Sequence, residues 1–81
     1  MSTLEQLQPI LAEMFSVEPE DIAPGTTFEG LLADELDFQE LAWILEEEFS
    51  LPETDPQELM ELETVGQLVM YVSRRQSGTE A

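Results

Sequence analysis

The hydrophobic and polar positions of the chain recur with helical spacing in four separate segments. In the first, Ser2 and Glu5 form a capping-box pattern, and apolar residues then recur every three or four positions as far as Phe15. Pro9 is discordant here because proline removes a backbone donor, so we expect a kink or a later helix start. This segment predicts the first helix.

The second segment runs from residue 34 to residue 49, with the sequence DELDFQELAWILEEEF. Asp34 is a strong N-cap, and Glu35 and Asp37 place negative charge in the first turn, where the helix dipole favours it. At about 100° per residue, one side of this helix gathers a core-facing apolar stripe, namely Phe38, Leu41, Ala42, Leu45 and Phe49.

The opposite face of this second helix carries two large apolar residues among glutamates. Leu36 and Trp43 fall there beside Glu40, Glu46 and Glu47. Exposed apolar side chains within a charged face are typical of a surface that docks another macromolecule. The alternative is an isolated surface tryptophan, or one covered by a loop of the same chain, since single exposed apolar residues are common.

Two further helices follow along the chain. Asp55, Pro56 and Glu58 read as the cap, the first residue and the capping-box partner of a short third helix. Thr64 with Gln67 opens a longer fourth helix. The predicted buried stripe of this helix is Val65, Leu68, Val69 and Val72. Arg74 and Arg75 place positive charge in its last turn, where the helix dipole favours it. The pattern predicts an all-α, four-helix bundle with three longer helices and a short third one.

A long connection, residues 16–33, separates the first two helices. Structureless loops of this length are uncommon in compact domains, so we expect it to be pinned to the helices, with a short turn around Pro19 to Ile22. The apolar residues available for pinning are Val17, Ile22, Phe28, Leu31 and Leu32. We therefore predict a single domain over residues 1–75 and a disordered tail over residues 76–81.

Composition restricts the chemistry that the chain can perform. The 81 residues include no cysteine and no histidine. This excludes disulfides, thiolate metal sites and every nucleophile that depends on an imidazole partner. The carboxylates are spread over surface faces, and those of the second helix lack the glycine and ligand spacing of a calcium loop, so we expect neither an enzyme nor a metal site.

The formal net charge of −17 indicates what the chain can bind. Repulsion from phosphates excludes nucleic acid, whereas a basic protein surface is the natural complement. The alternative is that the acidity serves only solubility. No apolar run approaches the roughly 18 residues of a membrane span, and the N-terminus lacks the features of a secretion signal, so we expect a cytoplasmic protein. We also expect a monomer.

Residues 34–49 resemble the second helix of acyl carrier proteins, the small helical carriers of fatty acid and polyketide synthesis. The family signature is Asp-Ser-Leu followed by an acidic amphipathic helix that ends in Glu-Glu-Glu-Phe. The resemblance extends from Thr3 to Arg75 and includes Glu-Thr-Val followed six residues later by Tyr71. It implies the same order of four helices with a long first loop. The residues that fit in helix two are Asp34, Leu36, Asp37, Glu40, Leu41, Leu45 and Glu46 to Phe49.

The chain departs from this pattern at one position. Glu35 stands where the family has the serine that attaches 4'-phosphopantetheine. A carboxylate cannot form the stable phosphodiester, so we expect no cofactor. Glu35 then serves either the helix dipole alone or as a mimic of the single negative charge of that phosphodiester. Between Phe28 and the signature, the loop is one residue shorter than the common form.

The resemblance implies a role in fatty acid or polyketide synthesis without the attachment serine. We predict a partner-binding module that meets basic surfaces of the synthase enzymes. The predicted partner-binding residues are Asp34, Glu35, Leu36, Glu40, Trp43, Glu46 and Glu47. Two alternatives remain open, namely a functional carrier with a cryptic attachment and an acidic interaction protein unrelated to acyl transfer.

Overall fold

The computed structural model describes residues 2–78. Over this range the chain forms four α-helices and one 3₁₀ turn, which are α1 (Thr3–Phe15), the 3₁₀ turn (Pro19–Asp21), α2 (Glu35–Glu48), α3 (Pro56–Met60) and α4 (Val65–Gly78). The predicted all-α bundle with a short third helix is confirmed. Helix α4 continues past Arg75 into the predicted tail, and residues 79–81 lie outside the described part. No helix in residues 2–78 is both long and apolar enough to cross a membrane.

The first helix begins where its capping pattern predicts. The Glu5 N–H donates to Ser2 Oγ over 3.1 Å, and the Ser2 N–H donates to Glu5 Oε1 over 3.0 Å. Pro9 lies inside α1, so the expected later start of the helix is not observed. Its ring lies on the exposed side, and the buried residues Leu7 and Leu11 flank it. Packing of these residues therefore outweighs the missing backbone donor.

The core is built from one face of each long helix. Helix α2 packs against α3, while α1 packs against α4 and the 3₁₀ turn. The rings of Phe28 and Phe38 meet edge to face, with their centroids 5.5 Å apart. Full burial of one leucine, isoleucine or valine side chain stabilises the folded state by roughly 1.5–3 kcal/mol. The largest fully buried side chains are Leu7, Leu11, Ile22, Leu41, Leu45, Leu59, Val65, Leu68 and Val72.

The long first loop is pinned by backbone hydrogen bonds to the start of α4. Three N–H to carbonyl bonds run from Phe28 to Glu63, from Val65 to Thr26 and from Gly66 to Pro24, at 3.0, 2.8 and 2.8 Å. A Cβ on Gly66 would lie only 3.0 Å from the Pro24 carbonyl oxygen, so glycine permits this close approach. Ile22 is fully buried and accepts a hydrogen bond from the Gln8 side chain at 2.8 Å.

Leu32 was expected to help pin this loop, and that prediction is wrong. Its side chain is 84% exposed, whereas Ile22 and Phe28 are buried. Leu32 has a φ of 62°, in the left-handed region. A non-glycine residue there costs roughly 1–2 kcal/mol, because its Cβ crowds the following carbonyl oxygen. The chain reverses at Leu32 to enter α2, which leaves this side chain outside the core.

The short α3 is capped differently from the prediction. Asp55 Oδ1 accepts from the Gln57 N–H at 2.9 Å, but Glu58 does not close a capping box. Glu58 Oε1 instead accepts from the Tyr71 hydroxyl at 2.8 Å and lies 3.8 Å from Arg75 Nη1. The Arg75 guanidinium also lies 5.6 Å from the Tyr71 ring centroid. This cluster fastens α3 to α4.

The Tyr71 cluster predicts a measurable titration. Burial, followed by the hydrogen bond to Glu58, raises the pKa of Tyr71 from 10.0 to about 12. Because the folded value exceeds the unfolded one, the contribution of Tyr71 to stability is complete below about pH 10 and is lost as pH rises toward 12. We expect tyrosinate absorbance to show a midpoint near the raised value in the folded protein and near the ordinary value in urea.

Tyr71 is the only tyrosine of the chain, so the signal has a single source. Glu58→Gln is the matched control, and it should lower the folded-state midpoint because the carboxylate charge is gone. A folded protein that titrates at the same pH as the urea-unfolded chain would contradict the hydrogen bond.

Candidate partner-binding site

The head of α2 is held by two reciprocal hydrogen bonds. The Asp37 N–H donates to Asp34 Oδ1 over 2.9 Å, and the Asp34 N–H donates to Asp37 Oδ2 over 3.0 Å. Each carboxylate thus satisfies a backbone donor that the helix itself leaves unpaired. Asp34 and Asp37 serve the cap, and they set the orientation of the two residues between them.

Glu35 lies between these capping residues with its carboxylate exposed. Within residues 2–78 this carboxylate makes no hydrogen bond or ion pair, in contrast to those of Asp34 and Asp37. A surface groove of about 500 Å³ lies between α2 and α3, and Glu35 is one of the residues that line it. The charge of Glu35 is therefore available to a cation of another molecule. The other residues that line the groove are Gln39, Asp55, Pro56, Gln57 and Met60.

Leu36, Glu40, Trp43 and Glu47 form one stripe along α2, which we call the docking face. Leu36 is 71% exposed and Trp43 is 64% exposed. These two residues are seven positions apart, which places them about 10 Å apart along the helix axis and on nearly the same side. Exposed Glu40 and Glu47 alternate with them. The docking face combines two apolar anchors with negative charge.

Glu46 was predicted as part of this face, and the structure gives it an intrachain contact. Its Oε2 accepts from the Thr54 N–H at 2.8 Å, and its side chain is half-buried. Thr54 is itself 4% exposed and donates its hydroxyl to the Pro52 carbonyl oxygen at 3.1 Å. Glu46 thus secures the loop after α2. A partner-binding role for Glu46 stays a prediction.

Two apolar residues near the site were not predicted to belong to it. Leu32 is exposed two positions before Asp34, and Met60, in α3, is 44% exposed in the groove that Glu35 also lines. Leu32 was missed because the chain has no glycine there to indicate a left-handed residue. Met60 was missed because the position of α3 against α2 is a tertiary property.

Comparisons with known proteins agree with this architecture. Residues 5–72 match the family described as "Phosphopantetheine attachment site". The chain is 36% identical over 78 residues to the acyl carrier protein of Chlamydia muridarum, covering 95% of this chain and 100% of that protein. It is 38% identical over 73 residues to the acyl carrier protein of Thermosynechococcus vestitus, covering 89% of each.

The helical bundle and these matches define a carrier protein rather than an enzyme. The resemblance noted in helix two is confirmed over most of the chain. This chain belongs to the acyl carrier protein family.

The prediction that no cofactor is expected is wrong. The matched family is described by phosphopantetheine attachment, and the relatives are acyl carrier proteins, so the comparisons point to a phosphopantetheine prosthetic group. The prediction gave one substituted residue more weight than the pattern of the whole domain.

The head of α2 does not itself fit a phosphodiester linkage to this group. Asp34, Glu35 and Asp37 supply carboxylates there, and none supplies a hydroxyl. The exposed first turn, the acidic helix and the cap are present, and residue 35 carries no hydroxyl. The carboxylates at this turn can accept a hydrogen bond or pair with a cation. They cannot form a stable ester with the phosphate of the arm.

Placing a hydroxyl at residue 35 tests whether this residue is the family's attachment position. We expect Glu35→Ser to gain the mass of one phosphopantetheine arm at residue 35 when it is incubated with coenzyme A and a promiscuous phosphopantetheinyl transferase. The capped first turn would then present Asp-Ser-Leu to the transferase. Intact-mass measurement with peptide fragmentation reads the result.

Gln39→Ser is the matched control, since it places a serine one turn further along the same helix, outside the signature. It should remain unmodified at residue 39. A Glu35→Ser protein that keeps its helical circular dichroism yet gains no arm at residue 35 would contradict the assignment.

Proposed function

We propose that this member of the acyl carrier protein family binds enzymes of fatty acid or polyketide synthesis through the docking face of α2. Glu35 occupies the position of the family's attachment serine, and the protein acts as a partner-binding module. The observation that carries this proposal is the pair Leu36 and Trp43, 71% and 64% exposed, on a helix that buries Phe38, Leu41, Ala42 and Leu45 in the core. Both side chains lie outside the buried core, and an exposed apolar patch rimmed by polar residues is typical of an interaction surface.

Charge supports a basic surface as the binding partner. The chain carries a net charge of −17, and Glu35, Glu40 and Glu47 are exposed around the two apolar anchors. A basic enzyme surface would be attracted over roughly a Debye length, about 10 Å at 0.1 M salt, which raises the rate of encounter more than the final affinity. The same charge disfavours self-association, so we propose a monomer, and we place it in the cytoplasm.

Glu35 adds a negative charge at the position where the family's phosphodiester would stand. Its carboxylate has no intrachain partner within residues 2–78, whereas both neighbouring carboxylates cap the helix. A partner surface that accepts the singly charged phosphodiester of a loaded carrier would accept this carboxylate as well. The alternative role is stabilisation of α2 through the helix dipole alone, worth about 0.3–1 kcal/mol.

A second candidate function is favoured by the family match. Residues 5–72 match a phosphopantetheine attachment family, which supports a functional acyl carrier whose arm joins a hydroxyl outside position 35. The unchanged chain, treated with coenzyme A and the transferase, distinguishes the two candidates. An arm located by fragmentation on a serine or threonine supports the second candidate.

Substitutions on the docking face should weaken binding without unfolding the protein. We expect Trp43→Ala to weaken binding to an immobilised ketosynthase or acyltransferase by about 2 kcal/mol, roughly thirtyfold in Kd, as for a central aromatic anchor. Glu35→Gln should weaken it less and should reduce its dependence on salt, because one charge is lost. Surface plasmon resonance at two salt concentrations measures both.

Met70→Ala is the matched control, because Met70 is 56% exposed on α4, away from the docking face. It should bind as the unchanged protein does. Equal affinity of Trp43→Ala and Met70→Ala would contradict the proposed face, and equal affinity of Glu35→Gln and the unchanged protein would leave the helix-dipole role alone for Glu35.

A further inference from the structure

Leu32 combines two unfavourable features at one residue. It is 84% exposed, the most exposed of the large hydrophobic side chains in the described part of the chain. It also has a φ of 62°, in the left-handed region that glycine adopts most readily. Among residues 2–78, the other two non-glycine residues with positive φ are Ser16 and Ser50, which are small and polar.

The backbone around Leu32 explains the conformation but not the side chain. The Leu32 N–H donates to the Glu29 carbonyl and the Ala33 N–H donates to the Phe28 carbonyl, each at 3.0 Å. These two bonds form a Schellman motif, in which the left-handed position is usually glycine and sometimes asparagine. Glycine would make the same bonds without strain. The exposed leucine contributes little to the core, so neither packing nor the turn accounts for it.

Leu32 lies at the same end of α2 as Glu35. Three residues of chain span at most about 11 Å, so the two residues are near neighbours on the surface. The side chain is surrounded in sequence by the exposed carboxylates of Glu29, Asp34 and Glu35. The turn just before α2 therefore resembles the docking face, because in both an exposed apolar side chain lies among carboxylates.

We propose that Leu32 is a further specificity-determining contact for the enzymes that bind the docking face. Its side chain enters an apolar recess on the enzyme that is bordered by lysine or arginine residues, next to the surface that receives Leu36. The acidic neighbours of Leu32 select a basic border, and a second copy of this chain, also at −17, is disfavoured as the occupant. This inference rests on the proposed function and adds a contact outside α2.

The Schellman bonds also prepare this contact before binding. Because two hydrogen bonds hold the turn, the leucine is presented without ordering a flexible loop at the moment of association. A partner that lacks the recess would meet an exposed leucine instead, so Leu32 discriminates between enzymes as well as adding affinity.

The test measures binding and stability on the same set of variants. Leu32→Asn and Leu32→Gly suit the left-handed turn but remove the apolar side chain, whereas Leu32→Met retains an apolar group. Ser50→Gly is the matched control, since Ser50 has a φ of 53° but lies at the far end of α2. The probes are an immobilised ketosynthase and an immobilised acyltransferase, with Trp43→Ala measured in parallel.

We expect Leu32→Asn and Leu32→Gly to weaken binding to at least one of the two enzymes roughly fivefold or more, which corresponds to about 1 kcal/mol. Their melting temperatures should equal or exceed that of the unchanged protein, because the strain is relieved. Leu32→Met and Ser50→Gly should bind both enzymes normally.

The outcomes separate this inference from the proposed function. If Trp43→Ala weakens binding while both Leu32 variants bind both enzymes normally, the contact at Leu32 is overturned and the docking face stands. If neither Trp43 nor Leu32 variants change binding, or the unchanged protein binds neither enzyme, both are overturned. Melting temperatures that fall in both Leu32 variants would assign the side chain to folding and would also overturn the contact.

Discussion

The reciprocal hydrogen bonds between Asp34 and Asp37 hold the point where the long first loop becomes α2. Because these two carboxylates satisfy the first backbone donors of the helix, the chain can present Glu35 and Leu36 outward without fraying. The turn at Leu32 feeds directly into this cap. The position of the proposed binding surface thus depends on a cap of two hydrogen bonds, which local sequence specifies.

The acidic surface of α2 has a cost in stability. A net charge of −17 on 81 residues opposes compaction through self-repulsion, and the N-cap and first turn of α2 together concentrate three acidic residues. The helix dipole and the cap offset part of this cost locally, while the buried stripe of α2 offsets the rest by packing against the core. Exposed Leu36 and Trp43 do not stabilise the fold by packing in the core, and we therefore assign them to contact with a partner.

Local sequence patterns predicted the helices and their caps, but they did not predict the tertiary contacts or the turn at Leu32. The caps at Ser2, Asp34 and Asp55 act within three residues of chain, so the sequence indicates them directly. Glu58 was read as a local cap, but its partner is Tyr71, thirteen residues away, and only the packing of α3 on α4 brings them together. The left-handed turn at Leu32 could not be predicted, because the Schellman motif is usually recognised in a sequence by a glycine at this position. The cofactor prediction failed because a single residue was set against the whole family pattern.

The central claim is that enzymes of acyl synthesis bind the acidic and apolar face of α2 together with the turn before it. Nuclear magnetic resonance tests it most directly, by titrating the isotope-labelled protein with an unlabelled ketosynthase or acyltransferase and following every backbone amide and the single tryptophan indole. The account predicts that the perturbed signals cluster in residues 32–47, including the indole of Trp43. Perturbations that centre on α1 or α4, with the indole unchanged, would contradict it.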